Sequence, residues 1–266
     1  MSRIGIIAGS GPLPLLAARE AKAAGRMVTV VAIREEADPA VEAVADRLHW
    51  VGVGQLGALI RALKRDGVSE AIMVGKVRMS HLFSQVRPDV RGALLYLRLK
   101  DRRGDSIMEA VAQELERAGI TLLECTRFLA GVLVEKGVLT RRAPTEREWE
   151  DIRFGREVAS TLAHVKVGQT VVVKHGAVLA VEAVEGTDAA VRRGGELGRE
   201  GVVVVKVCRP QHNFRFDVPV IGPMTIAVLR EVRGTALAVE ANRTLLLDRE
   251  QALGLADEAG IAVVAE

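Results

Sequence analysis

Acids and bases crowd two short stretches of the C-terminal half that are otherwise apolar. One is Arg215-Phe216-Asp217-Val218-Pro219-Val220-Ile221-Gly222, which follows the apolar run 202–207 with Lys206 inside it. The other, upstream, is Glu185-Gly186-Thr187-Asp188. A buried charge is costly unless it is paired or holds a ligand, so both stretches are site candidates. Pro219 stiffens the backbone after Asp217, and Val218, Val220 and Ile221 anchor it. A carboxylate held that way can ligate Mg²⁺ or Mn²⁺, or take a proton from attacking water. Glu185 and Asp188 are further candidate metal ligands, or groups that orient substrate hydroxyls. Lys206, Arg215 and Lys174 suit the offsetting of charge on phosphate oxygens, usually the larger catalytic contribution. Glu185, Gly186, Thr187 and Asp188 together are candidate substrate contacts, with the Thr187 hydroxyl and a helix N-terminus facing an anion; the simpler reading, a helix start capped by Thr187, stands beside the functional one.

Two N-terminal turns carry a second chemistry. Gly9-Ser10-Gly11-Pro12 follows an apolar strand-like run and precedes a helical pattern. Glycines there let backbone N–H groups face a phosphate at a helix N-terminus. A dinucleotide fingerprint competes, but Pro14 stands where the third glycine belongs and Arg34 precedes Glu35 after the second strand. Gly75-Lys76 ends another strand, where α/β folds put ligand contacts, and Lys76 is a compact cation suited to a phosphate. Residues 87–103 are basic around Leu94-Leu95-Tyr96-Leu97. Such a segment suits an anionic membrane surface, or is an ordinary amphipathic helix with a wet basic face. Asp105 or Ser106 reads most simply as a helix cap.

The elements that must position these residues follow from periodicity. Strands are expected at 4–8, 28–33, 49–53, 71–74 and 121–123, and helices at 14–24, 56–66 and 106–118. That alternation implies βαβ units and a parallel sheet, with ligands at the strand carboxyl ends. Residues 131–155 change character and read as a linker leading into a helix that Thr145 and Glu148 open with a capping box. The C-terminal part has strands at 170–174, 178–182, 202–208 and 244–247 and helices at 187–194, 223–231 and 249–259. The fold class is therefore α/β in two domains: a Rossmann-like nucleotide-binding domain at 1–130 and a catalytic α/β domain at 156–266. The ligand site is expected between them.

Composition narrows the classes. At 266 residues with 49% hydrophobic side chains and 3% aromatic ones, the core must be filled by Val, Leu, Ile and Ala. A net charge of +3 with both signs interspersed is no nucleic-acid footprint. Cys125 and Cys208 sit in apolar runs and read as buried thiols of a reducing cytosol. The N-terminus reads as a strand rather than a signal peptide, and no run approaches a membrane span. The histidines lack metal-ligand spacing, and no Gly-x-Ser-x-Gly elbow occurs.

The segments 185–189 (EGTDA) and 215–222 (RFDVPVIG) resemble the signature segments of the LpxI-type UDP-2,3-diacylglucosamine pyrophosphatases. The opening at 5–25 and Gly75-Lys76-Val77 resemble two more segments of that family, so the likeness runs nearly end to end. It implies an enzyme of lipid A biosynthesis that hydrolyses UDP-2,3-diacylglucosamine to UMP and 2,3-diacylglucosamine 1-phosphate with Mg²⁺ or Mn²⁺. It also implies an essential acid at Asp217, and a cytoplasmic protein that meets a lipid-linked UDP-sugar at the inner face of the cytoplasmic membrane. A homodimer is a candidate assembly. Ser106 and His212 depart from the family pattern, in which acids are common at both positions. A nucleotide-sugar sensor without turnover is the alternative on the same scaffold.

Overall fold

The computed structural model describes residues 2–77, 87–99, 104–209, 214–216 and 218–266, leaving aside the side chains of 104 and 105. The chain divides into two compact units, Met1–Ala130 with Asn213–Asp217 and Gly131–His212 with Val218–Glu266.

In the first unit the strands are β1 (Arg3–Ala8), β2 (Met27–Ile33), β3 (Arg47–Val51), β4 (Glu70–Val74) and β5 (Thr121–Leu122). They form a parallel sheet in the order β3-β2-β1-β4-β5. The helices are α1 (Leu13–Ala23), α2 (Leu56–Arg65), α3 (Val90–Arg98) and α4 (Gly104–Arg117). Helix α1 packs Ala17, Ala18 and Ala21 without solvent exposure; small side chains let it lie close to β1 and β2. A separate core joins Ile7 and Val31 of the sheet to Leu59 and Leu63 of α2 and Leu115 of α4. This strand order puts the switch in chain direction between β1 and β4. Open α/β sheets bind ligands at the carboxyl ends on either side of such a switch.

In the second unit the strands are β6 (Gly137–Val138), β7 (Thr170–Lys174), β8 (Ala177–Val181), β9 (Val203–Lys206), β11 (Ala236–Val239) and β13 (Ala262–Ala265), in the order β6-β13-β11-β9-β7-β8. Strands β9, β11 and β13 run parallel, and β7 is antiparallel to both β9 and β8. A small parallel pair joins β10 (Val220–Ile221) to β12 (Leu245–Leu246). The helices are α5 (Glu146–His164), α6 (Thr187–Gly198), α7 (Pro223–Glu231) and α8 (Arg249–Glu258). Side chains alternate across a strand. Val203 and Val205 therefore meet Ile152 and Ala159 of α5 on one face, while Val204 joins Val191, Leu229 and Ala252 on the other. Burial on both faces explains why these strands read as unbroken apolar runs.

Three local expectations are corrected. The basic segment 87–103 is no single helix: α3 ends at Arg98, and Leu99 is extended. Asp105 and Ser106 are no caps, because α4 already begins at Gly104. Strands β11 and β13, Ala-rich and four residues long, are additional to those expected, and both lie inside the sheet.

Candidate active site

The two N-terminal turns meet. Gly9 N–H donates to Val74 O at 2.8 Å, and Ser10 N–H donates to Lys76 O at 2.8 Å. Lys76 N–H returns a bond to Ser10 O at 3.1 Å, and the Ser10 hydroxyl adds a second donor to Lys76 O at 2.9 Å. Close approach requires glycine on both sides. A Cβ on Gly9 would lie 2.6 Å from Lys76 O, and one on Gly75, at φ +94°, would lie 2.7 Å from Ser10 O. The Gly9 and Ser10 amides are engaged with β4, and Pro12 and Pro14 have no N–H to offer. The carboxyl ends of β1 and β4 also present the exposed side chain of Lys76 on a backbone locked in place.

In the second unit a polar chain runs through the start of α6. Gly186, at φ +86°, takes the cap position and makes Thr187 the first helical residue. The Thr187 hydroxyl is therefore no cap. It donates to Glu182 Oε1 at 2.8 Å and accepts from Lys206 Nζ at 3.0 Å. Glu182 also accepts the Gln169 N–H at 3.3 Å. Lys206 is 8% exposed, and an ammonium so buried must have polar partners; the Thr187 hydroxyl is among them. Glu182 escaped the sequence reading. Its signal is faint: one acid just past β8, ahead of the Glu185–Asp188 stretch.

Other expected residues lie elsewhere. Glu185 pairs with Arg193 at 2.7 Å. Its own backbone N–H, then the Arg193 guanidinium, hold its carboxyl below the usual range. Asp188 sits in the first turn of α6, where an acid complements the helix dipole. Lys174 Nζ donates to Gly198 O and Glu200 O at 2.9 and 2.7 Å. It closes the far end of α6, about 18 Å from Thr187 for a helix of this length. Arg215 belongs to the first unit, paired with Glu116 at 3.0 Å and Glu109 at 3.6 Å of α4 and lying over the Phe216 ring. Asp217 and His212 lie outside the described residues. Among the described residues no three His, Cys, Asp or Glu side chains converge as a metal site. Of the candidate metal ligands, Glu185 is held by Arg193, Asp188 stands in the first turn of α6, and Asp217 is outside the described residues.

Two family models cover the chain: the LpxI N-terminal domain matches residues 3–132 and the LpxI C-terminal domain residues 135–264. The chain belongs to the LpxI family. A relative in Caulobacter vibrioides, named UDP-2,3-diacylglucosamine pyrophosphatase LpxI, is 33% identical over 277 residues, spanning 99% of this chain and 97% of the relative. Likeness to solved structures is distant. A biotin carboxylase–β-γ-ATP complex from Campylobacter jejuni has a TM-score of 0.30 at 15% identity, over 74% of this chain and 42% of that one. The precorrin-6A reductase CobK has a TM-score of 0.33 at 15% identity, over 100% and 87%.

Proposed function

We propose that this protein is a hydrolase that cleaves the pyrophosphate of UDP-2,3-diacylglucosamine, yielding UMP and 2,3-diacylglucosamine 1-phosphate in lipid A biosynthesis. The observation that carries this is the relative named for that pyrophosphatase, alike over nearly the whole of both chains. In the reaction a water oxygen bonds to one phosphorus. The bond from that phosphorus to the bridging oxygen breaks, and the bridging oxygen leaves on the other phosphate. Asp217 is the proposed acceptor of the water's proton, and Lys206 the cation that offsets charge as it grows on the phosphate oxygens. Lys206 suits this role because it is buried and its ammonium is aimed by the Thr187 hydroxyl. Lys76, at the carboxyl ends of β1 and β4, suits a nucleotide phosphate.

No step is routed through a metal; Mg²⁺ or Mn²⁺, with Asp217, Glu185 and Asp188 as the residues that would hold it, would supply an activated water. No helix among the described residues is long and apolar enough to cross a membrane. The proposed setting is the cytoplasm, at the membrane where a diacylated substrate resides, and the buried cysteines Cys125 and Cys208 suit that reducing compartment.

The test is UMP release from UDP-2,3-diacylglucosamine with either metal, comparing the native chain with Asp217→Ala. Release by the native chain and its loss in the variant are expected. No release by the native chain with either metal would leave the scaffold as a nucleotide-sugar sensor.

A further inference from the structure

Helix α3 turns apolar side chains both inward and outward. Inward, Gly92 meets the backbone of α2's leading turn so closely that a Cβ would overlap Gly54 O, and Leu95 packs on the core. Outward, Val90 is 78% exposed, Leu94 48% and Leu97 79%. At 3.6 residues per turn these three fall within an arc of about 60°, and Arg98 lies about 40° beyond Leu94. Arg98 is exposed, as is Arg87 just before the helix. Asp89 ties α3 to α2 by accepting the N–H groups of Gly92 and Ala58 at 2.9 Å. The neighbouring helix α2 carries exposed Arg61, Lys64 and Arg65, which line a groove of about 850 Å³ against β3.

We infer that the outward face of α3 docks on an anionic phospholipid bilayer, with Val90, Leu94 and Leu97 entering the headgroup boundary and Arg87 and Arg98 meeting lipid phosphates. An apolar stripe edged by cations is the pattern of helices that lie in a membrane interface. A second copy of the chain suits this face less well. A two-fold contact sets the same patch against itself, so it would bring the cations of both copies together. A helix of nine residues is about 14 Å long, too short to supply the roughly 800 Å² per partner of a stable interface. Three side chains on one short helix make the docking weak and reversible, as a protein that must reach and leave its substrate requires. The need for a membrane surface rests on the diacylated substrate proposed above.

Co-sedimentation tests the face without any substrate. At low salt the native chain should bind vesicles of phosphatidylcholine with about a quarter phosphatidylglycerol, and bind pure phosphatidylcholine less. Leu94→Glu with Leu97→Glu should lower binding at least about tenfold, since it removes apolar burial and adds like charge to the lipid. Arg98→Glu should weaken binding and flatten its salt dependence. Both variants change exposed positions, so their melting temperatures should match the native chain, and both should release UMP from detergent-dispersed substrate. Absence of vesicle binding by the native chain overturns the inference, as does equal binding by the Leu94/Leu97 variant. A native dimer that the same variant dissolves would assign the face to a second copy and also overturn it. UMP release with no vesicle binding leaves the hydrolase reading intact; vesicle binding with no UMP release leaves the docking face and removes the hydrolase.

Discussion

Lys206 is the residue on which the proposed chemistry turns. Its ammonium is buried, and its position is fixed by a hydroxyl that is itself fixed. Because Thr187 donates its proton to Glu182, a lone pair of the same oxygen is left for Lys206. Lys206→Met keeps an apolar stem of similar length and removes the charge. UMP turnover should fall about 10²- to 10³-fold, the scale on which removing a single group that stabilises transition-state charge acts. KM should change less than kcat, because the charge being stabilised grows during the reaction. Thr187→Val keeps the shape and breaks both bonds. It should lower kcat by about tenfold and stability by roughly 1–3 kcal/mol, with Thr187→Ser close to native. An unchanged kcat in Lys206→Met, measured by steady-state UMP release, would sink the assignment. Thr187 and Lys206 could be singled out from the chain because both interrupt apolar or turn-rich segments. Glu182 could not. Its part depends on the fold of β7 and β8 that brings it beside Gln169 and Thr187, and no local pattern marks that.

At the scale of elements, the backbone lock between β1 and β4 sets what the switch point can present. The groups that a new Cβ would strike at Gly9 and Gly75 are carbonyl oxygens of the backbone, which no rotamer change can move. Gly75 adds a φ of +94°, which an L side chain rarely adopts. Gly9→Ala and Gly75→Ala should each cost roughly 1–3 kcal/mol, read as a lower urea midpoint with an unchanged slope. Native-like midpoints in both would mean that the turns part without penalty. Much of this architecture was legible. Strands β1, β2 and β4 and helices α1, α2, α7 and α8 follow from apolar period and from Gly or Pro punctuation, each within about two residues. Strands β11 and β13 did not. Ala236–Val239 and Ala262–Ala265 are four-residue runs buried on both faces, so they show no alternation, and alanine by itself favours helix. The Gly9–Pro12 turn was found, but the partners of its amides were not, because β4 lies some sixty residues away (Ser10 to Lys76).

At the scale of the whole molecule, acid stability depends on how α5 is fastened to the second unit. Thr145 and Glu148 form a reciprocal capping box at its start. Arg142 grips the Glu148 carboxylate with two bonds of 2.7 and 3.0 Å. The same guanidinium reaches Thr235 O, at the start of β11, and Gly260 O, just before β13. One side chain thus ties the N-terminus of α5 to two central strands. Burial alone would raise the Glu148 pKa, but the Arg142 pair and the Thr145 N–H outweigh it and bring the value from 4.5 to about 2. A carboxyl whose folded pKa is depressed stabilises the fold above its unfolded pKa, and that contribution fades as pH falls toward the folded one. The Glu148 contribution should therefore be complete above about pH 4.5 and gone below about pH 2, with a size on the order of 2 kcal/mol after allowing for solvent screening. Glu148→Gln keeps the shape and removes the charge. Urea unfolding of both chains should give a stability difference that is constant from neutral pH to about pH 5 and shrinks steadily below it. A difference that stayed level down to about pH 2 would locate the fastening of α5 in the capping box and packing, and not in the ion pair with Arg142.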